Sequence, residues 1–257
     1  MDCAPAETLA QEIARLLPNG LGARGDEERD PVAFPRRSLH VLVAVSGSVA
    51  SIKAPLIVRE LLKHEQVDVQ VVATKSATHF FDAAALEADN GGRVKVWTDR
   101  DEWAGWQKIG DPVLHIELRR WADVVLIAPC SANTLAKITH GICDNILVRS
   151  PFLLLLGCTV WDSAPNPLPH PQTSFLRALP TFVPVHLFPA MNTHMYSHPL
   201  TAKQLAMVQG ELGYKVHGPI GKKLACGDIG IGAMTEWSDI VQLIVDEYGL
   251  RRREETV

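Results

Sequence analysis

The chain has 257 residues, 47% of them hydrophobic and 21% charged, enough for one ordinary globular domain with a sizeable core. Its formal net charge is −4, so it offers no basic footprint for nucleic acid or for an anionic membrane surface. The apolar run at residues 152–156 falls far short of the ~18 residues of a membrane span, which argues against a membrane protein.

The N-terminus, MDCAPAETLAQEIARLL, carries early acids and lacks a basic region followed by a long apolar stretch. That argues against a secretory or transit peptide. Residues 1–36 read as a peripheral extension. Residues 6–17 are spaced as a short amphipathic helix, and Pro18, Gly20, Gly22 and GDEERDP follow as a solvated linker. Five cysteines (Cys3, Cys130, Cys143, Cys158, Cys226) form no CxxC pair. An odd, scattered set fits a reducing, cytoplasmic setting better than a disulfide framework, and no metal site is expected.

The core begins near Leu39. HVLVAVSGS reads as a buried strand ending in a small-residue turn, and residues 50–63 carry Ile52, Leu56, Ile57 and Leu61 at helical spacing. VDVQVVATKS is a second strand, ATHFFDAAALEA a helix, and RVKVWTD a short extended piece. WADVVLIAPCSAN is another buried strand running into a turn, followed by the helix NTLAKITHGICDN. VPVHLFPAMN is a strand leading to a loop, residues 200–212 are helical, YKVHGP is extended and residues 238–248 are helical. Alternating strands and helices imply a single doubly wound α/β domain over residues 37–250, Rossmann-like or flavodoxin-like, with a short tail at 251–257. Ligands of such sheets bind at the carboxyl ends of the strands.

Four strand ends carry polar chemistry. Ser46-Gly47-Ser48-Val49 leads from a strand into a helix, whose free amides and serine hydroxyls suit either a phosphate or a plain tight connection. Thr74-Lys75-Ser76 repeats the pattern at the next strand end, which raises the case for one shared anion. Ser131-Ala132-Asn133-Thr134 suits either a flat ring approaching small residues or a helix cap. Asn192, after Pro189-Ala190-Met191, can offer an amide to a carboxylate, with Met191 and Met195 as an apolar wall. Downstream, KKLACGDIGIGAM places three glycines in six residues, as a mobile flap would, and sets Cys226 near Lys222 and Lys223. His115, in LHIELRRWADVV, is by itself no more than a histidine among apolar neighbours.

Taken together, VSGSVASIK, VVATKSATHF, DPVLHIELRRWAD, SANTLAKITHGICDN, PAMNTHMY and KKLACGDIGIGAM resemble the homo-oligomeric flavin-containing cysteine decarboxylases. They stand in that family's order and cover most of residues 39–240. The aromatic residue after the PxMNxxM motif is Tyr196 rather than the usual Trp. The resemblance implies FMN as cofactor, contacted by Gly47, Ser48, Val49, Thr74, Lys75, Ser76, Ser131, Ala132, Asn133, Thr134 and Ala190. It makes His115 the active-site histidine and Cys226 the acid of a closing flap. It gives Asn192 the substrate carboxylate and places Lys223, Ala225, Met195 and Met234 around the substrate. It implies a homotrimer with FMN between protomers and His115 contributed across the interface. The flap LACGDIGIGAM matches members acting on 4'-phosphopantothenoylcysteine in coenzyme A biosynthesis. There, oxidation of the thiol-bearing carbon gives a thioaldehyde that accepts the electrons of decarboxylation, and hydride return completes a redox-neutral cycle. The alternatives are a peptidyl-cysteine decarboxylase and a halotolerance-type regulator that binds a protein phosphatase.

One stretch departs from the family's pattern. Between CDN and PAMN the chain is longer by roughly two dozen residues than expected, beyond common loop lengths. The atypical insertion spans about 146–182, with Thr159-Val160-Trp161-Asp162 as the remnant of the family's RAWD-like piece. Pro165, Pro167, Pro169 and Pro171 exclude a regular helix there. Residues 163–179 are expected at the surface, and the apolar run 152–156 tucked against the domain or a neighbouring protomer.

Overall fold

The computed structural model describes residues 6–17, 38–104, 111–142, 146–147, 175–223 and 229–253. Among these, six parallel strands form one sheet in the order β3-β2-β1-β4-β5-β6. They are β1 (Leu39–Val45), β2 (Val67–Ala73), β3 (Val96–Trp97), β4 (Val124–Cys130), β5 (Val185–Pro189) and β6 (Lys215–Val216). This is the doubly wound order, which reverses direction between β1 and β4 and opens a crevice at their carboxyl ends.

Every residue of β1 and of β4 is buried, as parallel strands covered on both faces must be. The period of two sorts their side chains. Leu39, Val41, Val43 and Val45 enter one core cluster with Ile57, Leu61, Ile240 and Ile244. Leu42 and Ala44 enter the other with Leu114, Leu118, Trp121 and Leu135. The first cluster lies under α2 (Ala54–Leu61), α3 (Ala83–Asp89) and α10 (Trp237–Tyr248). The second lies under α5 (Leu114–Trp121), α6 (Ala132–His140), the single turn α7 (Phe175–Ala178) and α9 (Pro199–Gly210). The short helices α4 (Asp101–Ala104) and α8 (Thr193–Ser197) sit near the strands' carboxyl edge, and α1 (Ala6–Leu16) covers part of the second face. Ile13 and Leu17 are buried there, and Lys95 Nζ meets Glu12 Oε2 at 2.7 Å.

The structure differs from the sequence reading in four places. ATHFFDAAALEA is not one helix but a 3₁₀ turn at Ala77–His79 followed by α3, because the Asp82 carboxylate accepts the Ala85 amide and starts a new helix. Ile52 and Leu56, spaced as core positions, are exposed, while Ile57 and Leu61 are buried. Residues 49–53 form a 3₁₀ turn, whose period rotates the apolar face out of phase with α2. The glycine-rich segment after β6 is a hairpin of β7 (Ile220–Lys223) and β8 (Ile229–Ala233).

The fourth difference lies at the long connection. Its end is not a surface stretch: Phe175 and Leu176 are buried in the second cluster, and α7 packs on α5. The Phe175 amide donates to Ile146 O at 3.2 Å and the Leu176 amide to Leu147 O at 3.4 Å. The two ends of the connection are thus stitched together at a neck. The run 152–156, the Thr159–Asp162 piece and the prolines lie outside the described residues.

Candidate active site

Ser46 organises the crevice. Its hydroxyl donates to Pro129 O and accepts the Ser131 amide, both at 2.8 Å, tying the end of β1 to the end of β4. Ser51 Oγ donates to Ser46 O at 2.8 Å and closes the turn from the helical side. Ser48 caps the 3₁₀ turn, accepting the Ala50 amide. The second turn meets the first directly. Thr74 Oγ1 lies 3.2 Å from Ser76 Oγ, Ser76 abuts Gly47, and Lys75 projects into solvent beside them. The two strand ends at which a shared anion is expected thus meet as one contiguous surface carrying hydroxyls and a lysine, with Val49 exposed beside it.

At the end of β4, Ser131 is the N-cap of α6 and accepts the Thr134 amide at 3.2 Å. Its hydroxyl also donates to Thr134 Oγ1, and Thr134 is buried. Both hydroxyls thus serve the cap, while Ala132 is half-buried and Asn133 exposed. Burial pushes the Cys130 thiol upward, so this cysteine acts as packing rather than as a thiolate.

β5 ends at the Ala190–Asn192 loop, where Ala190 is buried and its amide donates to Cys130 O at 2.9 Å. Asn192 caps α8: its Oδ1 accepts the Met195 amide at 2.7 Å. That bond fixes the orientation of the amide and reserves Nδ2 as a donor. A cleft of about 390 Å³ brings Asn192 and Met195 together with Ala132, Ala136, Thr201 and Gln204.

The hairpin β7–β8 closes over this loop. The Met191 amide donates to Gly232 O at 3.0 Å. A Cβ on Gly232, whose φ is +153°, would meet Met191 O at 2.3 Å, and one on Gly230 would meet Thr193 Oγ1 at 2.6 Å. Glycine is required at both positions for the hairpin to lie against the loop. At the hairpin's base Glu236 bridges two lysines, receiving Lys53 Nζ at 2.6 Å and Lys222 Nζ on its other oxygen. Hydrogen bonds from Lys222 and then Lys53 hold its carboxyl down at about 2. Met234 is buried in the first core cluster. Lys223 ends β7, while Ala225 and Cys226 lie outside the described residues.

His115 belongs to another part of the described chain, α5. It occupies the first turn of α5, and its Nδ1 lies 2.5 Å from Glu102 Oε1 of α4. Within one chain the structure joins the Gly47 and Ser76 turns, and it joins Ala132 to Asn192 and Met195. His115 is not among the residues that line the Asn192 cleft.

A sequence profile described as Flavoprotein matches residues 33–156 and 170–249. The chain is 41% identical over 224 residues to a mouse phosphopantothenoylcysteine decarboxylase, covering 85% of this chain and 94% of that one. The chain belongs to the flavoprotein family, with the phosphopantothenoylcysteine decarboxylases. Its fold superposes with a TM-score of 0.66 on a PPC decarboxylase mutant complexed with pantothenoylaminoethenethiol, at 42% identity, covering 83% of this chain and 100% of that one. It superposes with a TM-score of 0.64 on the FMN binding protein AtHal3, also at 42% identity, over 83% of this chain and 98% of that one. The family profile skips residues 157–169, so the Thr159–Asp162 piece expected to continue the family's pattern falls where the match is interrupted.

Sequence reasoning missed Glu102 and the Lys53–Glu236–Lys222 bridge. Ser46 stood in the turn already singled out, one residue past the end of β1, but its tie to Pro129 at the end of β4 was not legible there. Among the described residues no group of three or more His, Cys, Asp or Glu could hold a metal ion, and no helix is long and apolar enough to cross a membrane.

Proposed function

We propose that this flavoprotein is a carboxy-lyase that uses FMN to convert 4'-phosphopantothenoylcysteine to 4'-phosphopantetheine in coenzyme A biosynthesis. The observation that carries the reading is the cleft in which Asn192 and Met195 meet Ala132, the residue after Ser131, whose amide bonds Ser46 at the start of the Gly47 turn.

The donor set suits FMN. Hydroxyls and amides at Ser48, Thr74 and Ser76, with Lys75, form the kind of surface that holds a phosphate dianion. Small residues Ala132 and Ala190 let a flat ring approach the backbone, and Gly47, Val49, Asn133 and the Ser131–Thr134 cap border the same crevice. Bound FMN supplies reversible two-electron oxidation at the thiol-bearing carbon, which gives the departing carboxylate's electrons somewhere to go.

The chain's own residues orient the substrate and move protons. Asn192 Nδ2 donates to the substrate carboxylate, and its orientation is fixed because Oδ1 is committed to the α8 cap. Met195 supplies apolar wall. His115 accepts the proton released from the substrate thiol. The family's flap pattern assigns Cys226 as the acid that returns a proton, with Lys223, Ala225 and Met234 around the substrate. Exclusion of water by the β7–β8 hairpin over the Met191 loop is part of this reading.

A homotrimer is part of this reading. Val49, Ile52, Leu56, Met195, Leu200 and Ile231 are exposed apolar residues, of the kind that a neighbouring protomer covers. That His115 is not among the residues lining the Asn192 cleft also fits a histidine supplied by that neighbour. A cytoplasmic location fits the scattered cysteines. The decarboxylase unit is taken as residues 37–250, with the insertion at about 146–182.

Purified protein incubated with 4'-phosphopantothenoylcysteine should yield 4'-phosphopantetheine by mass spectrometry. It should also release FMN, not FAD, on denaturation. Folded, FMN-loaded protein that leaves the substrate intact overturns the proposal.

A further inference from the structure

We infer that Glu102 is the positioning residue of His115, accepting its Nδ1–H so that Nε2 is left as the proton-accepting atom of the ring. The inference deepens the decarboxylase reading, on which it rests.

Both side chains are buried, His115 to 5% and Glu102 to 3% exposure, and Nδ1 and Oε1 are 2.5 Å apart. A buried carboxylate is costly unless a partner offsets its charge. The second oxygen, Oε2, is also buried and has no hydrogen-bond partner among the described residues, so the ring is the group this carboxylate faces there. His115 lies at the second position of α5, where free amides favour a nearby negative charge.

Glu102 is itself held in place. The Thr98 amide and Thr98 Oγ1 both donate to Asp101 Oδ2 at 2.8 Å, and the Asp101 amide donates back to Thr98 O at 3.0 Å. This reciprocal turn starts α4 directly after β3 and fixes Glu102 one residue later. A short helix that would otherwise fray is thereby a rigid mount. Charged groups also stand on the elements that carry and pack against the pair. On α5, Arg120 pairs with Glu117 at 3.0 Å and Arg119 donates to Ala178 O. On α4, Asp101 is committed to Thr98, and α7 contributes Arg177.

The chemistry follows from the tautomer. With Nδ1–H donated to Glu102, neutral His115 carries its lone pair on Nε2. A proton taken from the substrate thiol goes to Nε2 and leaves a cationic ring, whose charge the adjacent carboxylate offsets. The same proton leaves from Nε2 at the end of the cycle, so Glu102 never gains one. A carboxylate in this role acts on rate, not on substrate binding.

The test uses the FMN-loaded full chain. Nitrogen NMR of its imidazole rings should show His115 protonated at Nδ1 and unprotonated at Nε2. Glu102→Gln keeps the shape and removes the charge. It should retain FMN, lower kcat by about tenfold or more with KM little changed, and move the acid limb of the pH–rate profile to lower pH. Glu102→Leu should lose more, and Glu102→Asp should recover part. A His115 ring protonated at Nε2 in the unaltered protein overturns the inference, as do unchanged kcat and pH profile in the Gln and Leu variants. If the unaltered protein binds FMN but turns nothing over, the decarboxylase reading fails, and the ring spectrum still decides the pairing. If the variants do not fold, the same spectrum decides.

Discussion

Gly47 and Ser76 meet so closely that a Cβ on Gly47 would lie 2.3 Å from Ser76 Oγ and 2.6 Å from Ser76 Cβ. The contact fuses two strand-end turns into one surface, and the missing Cβ is the reason they fit. Gly47→Ala should therefore part the turns. A small-to-large change of this kind costs about 1–3 kcal/mol. FMN affinity should fall by about tenfold or more, read by flavin fluorescence titration, while the circular dichroism of the sheet persists. Unaltered affinity would show that the two turns do not hold the flavin together.

Asn192 has two jobs that one substitution separates. Its Oδ1 caps α8 through the Met195 amide, and Asp can do the same. Asn192→Asp should leave the melting temperature within a degree or two. It should raise KM for the substrate about tenfold or more, because it removes the Nδ2 donor and sets like charge against the substrate carboxylate. A parallel loss of stability and binding would mean that Asn192 is only a cap.

The Glu236 bridge makes a pH prediction. Its carboxyl is lowered from an ordinary 4.5 to about 2, by Lys222 first and Lys53 second. A lowered carboxylate contributes stability that is fully present above about 4.5 and is lost as pH falls through about 2. The side chain is 36% exposed, so the bridge is worth no more than about 1 kcal/mol. Glu236→Gln should lower Tm by about 2–4 °C or less at pH 7, with the gap narrowing once pH drops below 4.5. A gap that widens in acid would contradict the assignment.

The stitched neck at Ile146–Leu147 and Phe175–Leu176 predicts a tolerated deletion. Replacing residues 148–174 by a short glycine linker should keep flavin absorbance, oligomer size and turnover close to the full chain, since both ends are already held by backbone hydrogen bonds. Removing residues 163–179 instead should be damaging, because it takes out buried Phe175 and Leu176. Size-exclusion chromatography with flavin absorbance separates the two. Flavin-free monomers from the 148–174 replacement would place the insertion in the subunit interface.

The strands were legible because sheets covered on both faces write themselves as continuous apolar runs, as in Leu39–Val45 and Val124–Cys130. The polar strand ends were legible for the same reason: hydroxyls and Asn stand out where such a run stops. Other features had no such signature. The break at Asp82 was hidden because alanine-rich sequence on both sides looks helical, and the cap is a three-dimensional event. The β7–β8 hairpin gave no alternation, since its glycines exist to let backbone meet backbone at Met191. Glu102 was invisible because it acquires meaning only from His115, thirteen residues away and on another helix.

The Ser46 hydroxyl bonds both Pro129 O and the Ser131 amide across the switch point. A single rotor thereby latches the mouth of the crevice, and it does so with protein partners alone. The Ser131 amide should exchange its hydrogen slowly even in flavin-stripped protein. Stripping and reloading the flavin should then leave these two strand ends in register, with the slow steps of reconstitution occurring elsewhere in the molecule.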